Sequence, residues 1–221
     1  MKVKLVSYTT PCVEELGPDS DLTDLIAFCA RVSNPSNQTN TDTTDKLISY
    51  LIKHKHWSPF EMANLTLEIE TTRDIARQIL RHRSFTFQEF SQRYASVESL
   101  DMKPCLREAR LQDVKNRQAS IVTTDSSLQS QWQRKQLEAW DAALDAYVWA
   151  LDKGIAKEVA RAVLPEGLTM SRMYVNGTIR SWIHYIDIRS DEATQKEHRE
   201  IAIACAEAIG KLFPLITNFT H

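Results

Sequence analysis

Apolar residues recur every second residue in some segments of this chain and every third or fourth residue in others. The first spacing is typical of strands and the second of helices, so the spacing limits which element each segment can form. Leu65, Leu67 and Ile69 alternate with polar residues in NLTLEIE, as expected of a half-buried strand. Val3 and Leu5 alternate in the same way in MKVKLVSY. The pattern therefore predicts two strands of one sheet.

Helical spacing governs most of the rest of the chain. An amphipathic helix is predicted over residues 133–153, ended by Gly154, and Thr194 with Glu197 forms a capping-box pattern before another helix. A short helix is predicted in AKEVARAVL, before Pro165. The remaining helical sets are Leu22, Leu25, Ile26 and Cys29; Leu47, Ile48, Leu51 and Ile52; and Ile179, Trp182, Ile183 and Ile186.

The order of these elements, strands with helices first and helices afterwards, indicates an α+β fold with a mixed sheet and long helices. The chain has 221 residues, of which 43% are hydrophobic, with five Gly and seven Pro. This composition is that of an ordinary globular protein. We predict one domain over residues 1–221, with a polar excursion at about 101–130.

Charge and cysteine usage exclude several classes of protein. The formal net charge of -2 gives no global reason to bind nucleic acid. The four cysteines lack CxxC spacing, which favours a reduced, intracellular protein. No run of eighteen apolar residues and no signal-peptide core occurs, so we expect a cytoplasmic protein without a membrane span.

The stretch RHRSFTFQEFSQRY, residues 81–94, combines three arginines with four aromatic rings. On the preceding helix, Gln78 and Arg81 share the polar face, and the helix is expected to end near His82. Guanidinium groups beside Ser91 could bind a phosphate bidentately.

Three other interpretations of this stretch follow from the residues alone. It could be a solvated basic turn over packed aromatic rings, as in a helical scaffold protein. Its rings and cations could bind nucleic acid, although a wider basic surface normally accompanies such sites. His54, His56 and His82 could bind a metal, but no fourth ligand stands at a familiar spacing.

Four ordered motifs between residues 22 and 215 resemble the flavin-dependent thymidylate synthases. RHR followed after seven residues by Ser matches the signature of that family, at residues 81–91. LIKHKHWSPFEMANLTLEIETTRDIARQILRHR resembles its entry segment, and ARAVLP and RSWIHYIDIRSDEATQKE resemble its remaining site segments. The resemblance implies the family's α+β fold.

The resemblance also implies an activity. Members of the family use FAD as hydride carrier, NADPH as reductant and methylenetetrahydrofolate as one-carbon donor to convert dUMP into dTMP. They are homotetramers with active sites shared between subunits. The expected partners are therefore dUMP, folate and further copies of this chain.

The site residues are carried over position by position. Those implied to bind flavin are Ser33, His56, Ser58, Glu61, Arg81, His82, Arg83, Glu89, Thr178, Ile179, Arg180 and His184. Those implied to bind dUMP are Gln78, Ile79, Leu80, Arg81, Glu89, Phe90, Ser91, Gln92, Arg93, Arg161 and Arg189. No metal is implied.

Arg189 matches the arginine that contacts the uracil ring, and we identify it as the catalytic residue. A cation there would stabilise negative charge on the ring and make carbon 5 more nucleophilic. Covalent catalysis finds little support, because neither Cys105 nor Ser91 has a neighbouring base.

Four positions depart from the pattern that is frequent in the family. Thr178 and Gln88 stand where Asn is frequent, and Thr86 stands where Ser is frequent. Ala193 stands where a His often follows the arginine that corresponds to Arg189. The signature itself is intact.

Overall fold

The computed structural model of the chain describes residues 1–95 and 103–221. Its strands are β1 (Lys2–Tyr8), β2 (Asn64–Thr72), β3 (Thr86–Glu89), β4 (Arg110–Gln112), β5 (Ser120–Val122) and β6 (Met170–Thr178). Its α-helices are α1 (Leu22–Ala30), α2 (Thr44–Lys53), α3 (Arg73–Ile79), α4 (Ser126–Asp152), α5 (Lys157–Ala160), α6 (Ile179–Arg189) and α7 (Lys196–Gly210).

The main sheet has the strand order β1-β2-β6-β3, and each neighbouring pair is antiparallel. Leu67 lies opposite Leu5 on one side and Val175 on the other, so the alternating apolar residues of three strands share a face. The predicted α+β class is confirmed. The sheet is antiparallel rather than mixed.

The strands β2 and β6 each continue into a helix without a loop. Thr72 and Thr178 keep extended backbone angles, and the next residue is already helical. The Thr178 hydroxyl accepts a hydrogen bond from the Ser181 amide at 3.1 Å, which caps α6. The directions of α3 and α6 are therefore fixed by the two strands that precede them.

The core lies between the sheet and helices α1, α2, α3, α6 and α7. The apolar stripe predicted for α6 is buried, and Trp182 and Tyr185 are among the largest side chains inside. A smaller cluster joins α4 to α5 through Tyr147, Ala150 and Ala160. Among residues 1–95 and 103–221, none of the helices has the length and hydrophobicity of a membrane span.

The predicted polar excursion contains regular structure. Residues 101 and 102 lie outside the described residues, and β4 and β5 form an antiparallel hairpin beyond them. The long helix begins at Ser126 and not at residue 133, because the Asp125 carboxylate caps it by accepting from the Leu128 amide at 3.0 Å.

Two further differences from the sequence patterns have local causes. Strand β6 was missed because Ser171 and Gly177 occupy buried positions while Tyr174 points to solvent, which hides the alternation. The capping box at Thr194 is also wrong. Helix α7 starts after Gln195, and the Thr194 hydroxyl instead donates to the Ile188 carbonyl at 3.2 Å.

Close approach of β6 to the Phe85 ring requires glycine at position 177. A Cβ atom there would overlap the Phe85 ring, which is itself buried. We expect Gly177→Ala to lower the free energy of unfolding by about 1–3 kcal/mol, as overpacking does. Urea denaturation measures this change.

Gly167→Ala is the matched control. A Cβ atom added at position 167 would have the Arg107 Nη1 atom as its nearest neighbour, at an ordinary van der Waals distance of 3.8 Å. Equal stability of the two variants would contradict the prediction.

Candidate active site

The end of α6 meets the turn that follows α3. The Nε of Arg189, the last residue of α6, donates a hydrogen bond to the Nε2 of His82 at 2.9 Å. An imidazole nitrogen that accepts carries no proton, so His82 is neutral with its proton on Nδ1. Burial, assisted by the charges of Arg189 and Arg81, lowers the pKa of His82 to about 4. His82 therefore stays neutral near pH 7 and orients the Arg189 guanidinium.

Gln78, Arg81 and Arg189 line one open cleft of about 750 Å³. The shared orientation of Gln78 and Arg81 agrees with the helical face predicted for them. Gln118, from the hairpin of β4 and β5, and Gln195, next to α7, line the same cleft. Besides two carboxylates, the cleft offers two guanidinium groups and several amides, which are donors that suit an anionic ligand with carbonyl groups.

Ser91 lies in a different cleft, of about 450 Å³, which it lines with Glu89, Phe90 and Arg172. The Glu89 carboxylate accepts from the Ser171 hydroxyl at 2.9 Å and lies 3.6 Å from the Arg73 guanidinium. The residues predicted to bind dUMP are thus divided between two clefts of one chain.

The remaining arginines of the predicted dUMP set lie near α5. Arg93 forms an exposed ion pair with Glu158 at 3.0 Å. Arg161 follows α5 directly, at the start of a 3-10 turn. An exposed pair of this kind contributes about 0–1 kcal/mol, so a phosphate could replace Glu158 as the partner of Arg93 at little cost.

Part of the predicted flavin set lies around Trp57. Arg180 donates to the Glu61 carboxylate at 2.6 Å, and the His184 ring packs edge-on against Trp57 with centroids 5.0 Å apart. Burial and the Arg180 charge lower the pKa of His184, against the opposing effect of Asp187. Among the described residues, no group accepts from or donates to the buried Nε2 of His184. Ser58 and His56 are exposed beside this group.

Two predicted site residues have side chains that cannot reach a ligand here. The side chains of Ile79 and Ile179 are fully buried in the core, so only the backbone groups of these two residues are available to a ligand.

The other predicted residues vary in exposure. Ser33, in the turn after α1, and Arg83 are exposed, whereas Leu80 and Phe90 are half-buried. Gln92 is buried, and its Nε2 has no hydrogen-bond partner among the described residues.

His198 and Tyr185 are buried residues whose connection to the cleft, through Gln78, the motifs did not reveal. The His198 ring is fully buried in α7, with Nδ1 3.1 Å from the Gln78 Oε1 and Nε2 3.1 Å from the Tyr185 hydroxyl. Burial, with the nearby Arg189 and His82, lowers the pKa of His198 to about 3. The sequence signal was present, because His198 stands on the apolar stripe of α7 with Ile201.

Comparisons with known proteins identify the family to which the chain belongs. A family model described as "Thymidylate synthase complementing protein" matches residues 13–215. A probable flavin-dependent thymidylate synthase of Paramecium bursaria Chlorella virus 1 is 50% identical over 218 residues, which cover 99% of this chain and 98% of the relative. The chain belongs to the flavin-dependent thymidylate synthase family.

Two further matches extend over nearly the whole chain. A flavin-dependent thymidylate synthase of Synechocystis sp. is 50% identical over 220 residues, covering 98% of this chain and 97% of the relative. The crystal structure of the UMP/dUMP methylase PolB from Streptomyces cacaoi bound with 5-Br dUMP has a TM-score of 0.82 and 27% identity. That match covers 99% of this chain and 93% of the methylase.

The low pKa of His82 makes stability depend on pH. Folding lowers this pKa from 6.5 to about 4, so only the unfolded chain binds the proton between those values. The resulting stability is present above about pH 6.5 and is lost as the pH falls towards 4. The free energy of unfolding should fall in both proteins when the pH is lowered from 7 to 5. Because His82→Gln lacks this titrating group, we expect its decrease to be smaller than that of wild type by about 1–2 kcal/mol.

Urea titrations at the two pH values measure the difference. His54→Gln, at an exposed histidine outside the cleft, serves as the control. Parallel pH curves for wild type and His82→Gln would refute the assignment.

Proposed function

We propose that this chain converts dUMP into dTMP in the cleft lined by Arg81 and Arg189. Its family catalyses this methylation with a folate one-carbon donor and FAD, and NADPH is the typical reductant. The observation that carries the proposal is that Gln78, Arg81 and Arg189, taken from two separate family motifs, line one cleft.

Arg189 is proposed to act on the uracil ring. Its guanidinium is fixed on one side by the neutral His82, so the remaining N–H groups can face the cleft. A fixed cation beside the ring stabilises the negative charge that develops there, which makes carbon 5 more nucleophilic. Preorganisation by His82 means that little reorientation is needed when charge develops.

The residues present fit a flavin dinucleotide. Arg81 and Arg83 offer guanidinium donors to a diphosphate, and the half-exposed Arg180 lies on the helix that carries His184. The buried His184 Nε2, which lacks a partner among the described residues, is available for a ligand. Bound FAD supplies hydride transfer, and these side chains supply position and charge.

Ser91 and Arg93 are proposed to bind the dUMP phosphate. Ser91 offers a hydroxyl at an exposed position, and Arg93 offers a planar fork that, among the described residues, pairs with the exposed Glu158. No described hydrogen bond joins Ser91 to a His or Lys that could act as a base. A binding role therefore suits Ser91 better than a nucleophilic one.

We further propose a homotetramer with shared active sites. The division of the predicted dUMP residues between two clefts supports this, because a second copy could bring the two sets together. Helix α4 also exposes Trp132, Leu137 and Trp149, large apolar side chains that a neighbouring subunit could cover.

The activity is tested with purified protein loaded with FAD. We expect a yellow protein that NADPH bleaches without oxygen and that releases tritium from carbon-5-labelled dUMP once methylenetetrahydrofolate is added. Failure to bind FAD after reconstitution would refute the proposal.

Replacing Arg189 should slow turnover greatly without releasing the flavin. We expect Arg189→Ala to lower kcat/KM for dTMP formation by about 10²–10³, as loss of one electrostatic stabiliser does. Tritium release measures turnover, and the flavin absorbance measures FAD content. Arg134→Ala, at an exposed arginine of α4, is the control, and normal turnover in Arg189→Ala would contradict the role.

Replacing Ser91 should weaken substrate binding. We expect Ser91→Ala to raise the Kd for dUMP about tenfold, because it removes a hydrogen bond to a charged phosphate. Calorimetric titration measures the Kd, with Ser130→Ala on α4 as the control. A wild-type Kd would count against the phosphate role.

A further inference from the structure

A chain of hydrogen bonds, partly buried at most links and fully buried at the last, runs from β4 to α6 beside the cleft. It passes through five side chains: Arg110, Glu197, Gln195, Gln78 and His198, and it ends on Tyr185. Two members of this hydrogen-bond chain, Gln78 and Gln195, line the cleft together with Arg189.

The first link fixes the direction of the chain. The Arg110 Nη2 lies 2.5 Å from Glu197 Oε1, and both side chains are largely buried. Burial raises the pKa of Glu197, but hydrogen bonds, including one from Gln195, and the charges of Arg110 and Arg107 lower it overall. Glu197 is therefore an anion that can only accept hydrogen bonds.

Each later orientation follows from that anion. Gln195 must donate its Nε2 to Glu197, at 3.0 Å, and so it turns its Oε1 to Gln78. Gln78 must then donate its own Nε2 to Gln195, at 2.9 Å, which turns the Gln78 Oε1 to His198. An amide placed in this way cannot flip without putting two acceptors or two donors together.

The last links fix the tautomer of His198. Its Nδ1 must carry the proton in order to donate to the Gln78 Oε1 at 3.1 Å. Its Nε2 then accepts from the Tyr185 hydroxyl, also at 3.1 Å. Neutral His198 satisfies both contacts, in agreement with its pKa of about 3. Since the ring is fully buried, His198 cannot itself touch a ligand in the cleft.

We propose that His198 is a positioning residue for nucleotide binding, which it serves by holding the Gln78 amide with one N–H directed into the cleft. The Gln78 Nε2 has two protons, and Gln195 uses one of them. The other can donate to an acceptor oxygen of the pyrimidine nucleotide. This role depends on the proposed function, because it takes dUMP as the ligand of the cleft.

The first test removes the donor while keeping volume. With FAD-loaded protein, we expect His198→Leu to raise both the Kd and the KM for dUMP by about 5- to 30-fold, the usual effect of a lost buried hydrogen bond. The kcat at saturating dUMP should change less than threefold. His198→Asn, whose amide can still donate near the Nδ1 position, should retain most of the affinity.

A double-mutant cycle separates positioning from general damage. In the Gln78→Ala background, His198→Leu should have no further effect on the Kd, because His198 acts only through that amide. Ile209→Val, at a buried residue of the same helix, should leave the Kd unchanged.

A second variant tests the chain of hydrogen bonds even if His198→Leu fails to fold. Glu197→Gln replaces a carboxylate with an amide of the same shape that can also donate, so Gln195 and Gln78 become free to flip. We expect it to raise the Kd for dUMP several-fold, whereas Glu200→Gln, at an exposed position of α7, should not.

The outcomes are distinguishable. A Kd within twofold of wild type in either His198→Leu or Glu197→Gln, or additive effects in the cycle, would overturn the positioning role alone. Absence of dUMP binding by the wild-type protein would overturn the proposed function, and this role with it.

Discussion

The antiparallel pairing of β2 with β6 is the constraint on which the candidate site depends. The pairing runs from Asn64 opposite Thr178 to Thr72 opposite Met170, and each strand passes directly into a helix. With no loop at either junction, the strands set the directions of α3 and α6. The contact between Arg189 and His82 exists because of that geometry.

Ion pairs attach the polar segment after residue 103 to this framework. Arg107 donates to the Asp74 carboxylate of α3 at 2.7 Å, and Arg110 and Glu108 pair with Glu197 and Lys196 of α7. The pair of Arg110 with Glu197 is largely buried, and we expect such a pair to favour one arrangement of the chain more than it adds stability. A segment that is polar and weakly periodic in sequence thereby contributes a wall of the cleft, through Gln118.

The sequence patterns predicted correctly those features that depend on residues close together in the chain, and they missed features that depend on distant contacts. The shared polar face of Gln78 and Arg81 was predicted correctly, because the helical period alone decides which residues of a helix point the same way. Strand β6 was missed because Ser171 and Gly177 fill buried positions. Gly177 is there because the Phe85 ring occupies the space where a side chain would lie, which no local pattern contains.

By itself, the sequence determined the α+β class, most helices, and the motifs that identify the family. The tertiary structure alone decided which motif residues meet: Arg189 with His82, 107 positions apart, and Ser91 in a separate cleft. It also decided that His198 lies behind Gln78, 120 positions away. Periodicity specifies which face of an element is apolar, whereas contacts between distant residues depend on strand register and helix direction, which only the packed chain fixes.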